Sequence, residues 1–190
     1  KKSSDNSTVE TIDVTSSQVT GSGTTQITIN PSSNLDSATQ YYIQIPATAF
    51  DDSSSNSYAG ITDTTSLSFT TADVGAPTLS SASPADNATA VAVDSNVVLT
   101  FSEAVDVESG NILIKKSSDN STVESIAVTS GQVTYFGSGQ TQITINPSSN
   151  LDSGTQYYVQ IPATAFDDAS SNSYAGITDT TSLSFTTADF

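Results

Sequence analysis

Oxygen is nearly the only ligand chemistry this sequence offers. Cys, His, Met and Trp are all absent, so it holds no thiol nucleophile, imidazole base, disulfide or Cys/His zinc site. What remains is 20 Asp and Glu against four Lys, a formal charge of -16. The cations are Lys1, Lys2, Lys115 and Lys116, with no Arg for bidentate phosphate contacts. Nucleic acid is excluded as a partner because binding it needs a basic surface, and an anionic membrane surface repels the chain for the same reason. Two acidic groupings stand out: Glu103, Asp106 and Glu108 in one stretch, Asp167, Asp168 and Asp179 in another. Neighbouring carboxylates on one loop are not the dyad that a glycosidase sets across a substrate groove, so catalysis is not expected. Hard oxygen donors without His or Cys suit Ca²⁺.

The elements that must position these groups are written twice. Residues 25–73 return at 141–189, changed only at Ala38/Gly154, Ile43/Val159 and Ser53/Ala169. Lys1–Thr20 matches Lys115–Thr134, and Tyr135-Phe136 is then inserted. A tandem array is the expected organisation: 75–190 as one complete module, 1–74 as a partial module lacking the equivalents of 75–114, with Val74-Gly75-Ala76-Pro77 as the junction. No run of transmembrane length, signal peptide or initiator Met is present, and the stretch is expected to be an excerpt of a longer polypeptide.

Apolar residues recur at strand period. Thr78–Ser83 and Ala90–Val93 are expected to form a first strand in two parts. Val97–Ser102 follows with Val97, Leu99 and Phe101 on one face, then Asn111–Lys116, Thr122–Val128, Gln132–Phe136 and Gln140–Asn146. Gly137-Ser138-Gly139 is expected to close the hairpin between the last two. Tyr157, Val159 and Ile161 are expected inward, with Tyr158 and Gln160 outward; Leu183 and Phe185 mark the last strand. Leu151 to Tyr157, repeated as Leu35 to Tyr41, resembles the tyrosine corner of immunoglobulin-like and fibronectin-like sandwiches. The expected class is all-β, as tandem immunoglobulin-like/fibronectin-like β-sandwiches.

Pro77-Thr78-Leu79, Ser83-Pro84-Ala85-Asp86, Leu99 to Val105, Gly154-Thr155-Gln156-Tyr157 and Phe185-Thr186-Thr187 together resemble the bacterial Ig-like repeat. That resemblance covers 75–190 and the matching part of 1–74, and departs from many relatives in the longer loop Phe166 to Asn172. It implies an origin in surface-layer proteins, large surface adhesins or multidomain secreted enzymes. In such a fold the loops leaving the second and sixth strands share one end. Glu103, Asp106, Asp167 and Asp168 are therefore expected at one pole as a calcium site. Asp73, from the end of the preceding module, is expected to join them. The rival expectation is that these are solvated loop carboxylates capping backbone N–H groups.

The function expected is structural: an extracellular, cell-surface spacer whose partners are neighbouring repeats of the same protein. One alternative is a self-assembling filament subunit, its partial module completed by strands from other copies of itself. Another is a glycan-binding adhesin module, for which Tyr135-Phe136 is the one notable difference between the copies. Outward Tyr42 and Tyr158 are expected to pack across strands, with sugar stacking as the rival role. Asn6, Asn87 and Asn120 begin glycosylation triplets in turn-like settings.

Overall fold

The computed structural model describes residues 1–136 and 140–190, all of them strand, turn or irregular. Among the described residues no helix is long and apolar enough to cross a membrane. The expected Gly137-Ser138-Gly139 hairpin turn lies outside the described residues. The chain divides into two compact units, Lys1–Val74 and Gly75–Phe190.

The first unit holds four short strands: β1 (Val19–Thr20), β2 (Thr28–Ile29), β3 (Gln40–Tyr42) and β4 (Ser68–Thr70). They form two separate antiparallel pairs, β1 with β2 and β3 with β4. An isolated bridge joins Lys2 to Tyr41.

The second unit runs β5 (Leu79–Ser83), β6 (Ala88–Val91), β7 (Val97–Phe101), β8 (Asp106–Val107), β9 (Asn111–Lys116) and β10 (Thr122–Ala127). It continues with β11 (Val133–Phe136), β12 (Gln142–Ile145), β13 (Gln156–Gln160), β14 (Phe166–Asp167) and β15 (Ser184–Thr187). A five-stranded sheet has the order β10-β9-β13-β15-β6, and a four-stranded sheet β11-β12-β7-β5. Side-chain alternation gives each sheet an inner face. Leu99, Phe101, Ile143 and Ile145 from one, with Ile112, Ile114, Ile126, Tyr157, Val159 and Phe185 from the other, form one buried core. This is a β-sandwich.

The first strand differs from the sequence reading. Its second part is Ala88–Val91, and the two parts serve different sheets: β5 pairs antiparallel with β7, β6 parallel with β15. The turn between them is tied down by Asp86, whose Oδ1 accepts bonds from the Ser184 N–H at 2.9 Å and the Ser184 hydroxyl at 3.0 Å.

The corner forms in both units. The Tyr157 hydroxyl accepts the Asp152 N–H at 2.9 Å, and the Tyr41 hydroxyl accepts that of Asp36 at 2.9 Å. Tyr158 corrects the parity argument, for it is buried along with its neighbours Tyr157 and Val159. The turn before β10 brings Asn120 to its hydroxyl, which donates to Oδ1 at 3.0 Å, and Lys115 Nζ lies 6.0 Å from the ring centroid. Tyr42 is buried in the same way, donating to Asn6 Oδ1 at 3.1 Å. Neither ring has a free face for a sugar.

Candidate metal centre

The acidic stretches meet through a short ribbon. β8 pairs antiparallel with β14, setting Val107 opposite Phe166 and Asp106 opposite Asp167. The segment leaving β7 is thereby held against the segment leaving β13. Phe166 is driven inward, its ring 5.4 Å from that of Phe101 in an edge-on contact. Alternation then turns Asp167 to the other face, where it is half-buried and Asp106 is exposed. Like charges directly opposite in an antiparallel pair repel.

Asp168, one residue on, is buried. Its Oδ1 accepts N–H bonds from Ser170 and Asn172, each at 2.8 Å, and its Oδ2 accepts the Asn172 side-chain amide at 2.8 Å. The Asn172 amide, reinforced by those two N–H groups, outweighs burial and holds the Asp168 carboxyl below the ordinary aspartate range. Glu103, half-buried between β7 and β8, brings a carboxylate oxygen within 4.8 Å of one on Asp168. Two calcium–oxygen bonds of about 2.3–2.6 Å can span about 5 Å, so one ion can touch both carboxylates.

The residues singled out by sequence therefore divide. Glu103 and Asp168 form one pair and Asp106 and Asp167 another, because adjacent strand residues point oppositely. Asp73 belongs to the first unit, where its Oδ1 accepts the Ser37 hydroxyl at 3.0 Å. Glu108 is exposed, its backbone N–H bound to the Ala165 carbonyl at 2.9 Å. Asp179 organises a turn: its Oδ1 accepts bonds from Thr181 and from the Ser182 N–H, and its Oδ2 accepts the Ser182 hydroxyl, between 2.6 and 3.1 Å. The Ser182 hydroxyl foremost, with backbone N–H groups, holds its carboxyl far below the ordinary aspartate range.

The first unit provides an internal comparison. Asp52, the counterpart of Asp168, accepts the same three bonds from Ser54 and Asn56 at 2.8, 2.8 and 2.9 Å. That turn forms without a counterpart of Glu103 in its unit. Local hydrogen bonding accounts for the loop's shape, while the closeness of Glu103 to Asp168 is a separate feature of the complete sandwich.

The sheet order, the shared core and the paired corners are those of an immunoglobulin-like sandwich. The family described as bacterial Ig-like domain matches residues 1–71 and 73–187. The chain belongs to that family. Among solved structures, these bacterial Ig-like modules are similar to CopC from Methylosinus trichosporium OB3b at a TM-score of 0.42 and 21% identity, covering 60% of this chain and 94% of that one. They are also similar to the N-terminal part of the bacterial S-layer protein SbsC at 0.40 and 20%, covering 59% of this chain and 23% of that one. At those scores neither likeness bears on function. No curated protein matches the chain.

Proposed function

We propose that this chain is a spacer stretch of an extracellular surface protein, a stalk, surface-layer or filament component built from bacterial Ig-like modules and stiffened by calcium. The observation that carries the reading is the repetition itself. Two family modules share nearly every loop residue, as suits a part in which length matters more than individuality. A net charge of -16 supports it too, since mutual repulsion keeps neighbouring chains apart sideways. Calcium is proposed at Glu103 and Asp168, whose carboxylate oxygens lie within 4.8 Å. Carbonyls and water would complete the shell, and Asp106 and Asp167 would add a negative field.

The test is thermal melting of the whole chain with calcium and with excess chelator. At about 100 Kd of free ion, one site stabilises a fold by about 2.7 kcal/mol. With an unfolding entropy near 0.24 kcal/mol per kelvin for a unit of this length, the second unit's Tm should rise about 11 °C. Glu103→Gln should abolish that rise. Superimposable curves with and without calcium would remove the ion and leave an acidic spacer whose stiffness comes from packing alone.

A further inference from the structure

The four sheet edges of the second unit are not alike. Its two large sheets end in β10 and β6, and in β11 and β5. Natural sheets blunt such edges with bulges, prolines and charges, because a bare ladder recruits another strand. The register of β10 shifts between Thr122 and Glu124, and the strand carries that carboxylate. β6 meets β15 through a register shift, and Asp86 and Asp94 bracket it. The register of β5 shifts between Leu79 and Ser81, and the strand lies between Pro77 and Pro84. β11 has none of these devices. Its register with β12 is unbroken from Val133–Ile145 to Phe136–Gln142. It sits in the longest uncharged run of the chain, Ser125 to Leu151. It also ends in Tyr135-Phe136, the pair with no counterpart in the first unit.

The backbone of β11 shows which groups face outward. The Asn146 N–H donates to the Gln132 carbonyl at 2.8 Å. Residues along an antiparallel pair alternate between bonding the partner strand and facing away from it. Thr134 therefore bonds toward β12, while Tyr135 directs its N–H and carbonyl away. Among the described residues β11 pairs with β12 alone. The Tyr135 side chain is 42% exposed, although Ile143 opposite it is fully buried. Leu99, Ile143 and Tyr135 form a row across three strands, and the row stops at this open edge.

We propose that β11 is the edge through which the chain pairs with a second copy of itself, antiparallel and about a two-fold axis at Tyr135. A two-fold within an antiparallel strand pair requires opposed residue numbers to have an even sum, so that both core faces stay on one side. Tyr135 opposite Tyr135 of the second copy meets that condition, and the outward N–H and carbonyl of each exchange both bonds. The row of Leu99, Ile143 and Tyr135 then continues into the same residues of the second copy in reverse. Charge selects this occupant. A basic partner would find no carboxylate on the edge to read, whereas another chain of net charge -16 can approach where acids are absent. The remainder of two such chains repel, so pairing strengthens as salt screens them. One short strand is a small interface, which places the pairing among weak contacts.

Sedimentation of the whole chain from about 10 μM to about 1 mM tests this. Monomer at the low end and dimer at the high end are expected, with tighter pairing in about 0.5 M salt than in about 0.05 M. Hydrogen exchange locates the contact. The Tyr135 amide should slow as the chain is concentrated, while the Thr134 amide, already bonded to β12, should not change. Tyr135→Pro removes the outward N–H and spares the β12 ladder. It should weaken pairing by at least about tenfold, with the Asp152 amide of the corner still protected. Tyr135→Lys sets like charges across the two-fold and should weaken pairing even though it lowers the net negative charge. Val123→Lys, the same change at an exposed residue of β10, should not weaken it. Three outcomes would overturn the proposal. They are a monomer at about 1 mM in high salt, which leaves the edge to another kind of partner; association that Tyr135→Pro and Tyr135→Lys leave intact; or a Tyr135 amide whose exchange ignores concentration.

Discussion

Removing the Tyr157 hydroxyl tests whether the corner, rather than the ring alone, locks the second sandwich. The ring is buried against Phe185, with centroids 5.9 Å apart, and Tyr157→Phe keeps that packing. What it removes is the acceptor of the Asp152 N–H at 2.9 Å. A lost hydrogen bond costs about 1 kcal/mol net, and a buried donor left without a partner about 1–3 kcal/mol. Asp152 is exposed, so water reaches part of the freed amide and the lower half of that range applies. About 1–2 kcal/mol, divided by an unfolding entropy near 0.24 kcal/mol per kelvin, lowers the second unit's Tm by about 4–8 °C. Calorimetry of the whole chain reads the shift, and hydrogen exchange at the Asp152 amide reads the bond itself. Tyr41→Phe should move the second unit's transition not at all. A Tm within 1 °C of the parent, with Asp152 amide protection unchanged, would refute the reasoning.

The pH dependence carries a definite sign. Asp168 and Asp179 bind protons less readily folded than unfolded. Glu124 does the same, because bonds from Gln132 and Ser148 outweigh the burial that pushes its carboxyl up. The stability they contribute is present above the ordinary carboxylate range and is lost as pH falls through their lowered folded values. Denaturant midpoints of the second unit should fall steadily from pH 4 to pH 2; a constant midpoint would contradict the hydrogen-bond assignment.

β7 and β9 were legible because their residues alternate: Val97, Leu99 and Phe101 lie at strand period, and Ile112 and Ile114 follow it. The corner was legible because Leu151 to Tyr157 is a local signature. The first strand was read less well, since Ser80 to Ser83 and Ala88 to Ala90 are small residues without apolar alternation. Its parallel partner β15 lies almost a hundred residues away, beyond any local cue. Tyr158 was misread because parity describes a strand and its sheet but not the turn that folds back over them. At the candidate metal centre, sequence adjacency suggested that Asp167 and Asp168 act together. Strand geometry sends them apart, and Glu103, from the other acidic stretch, brings a carboxylate oxygen within 4.8 Å of one on Asp168.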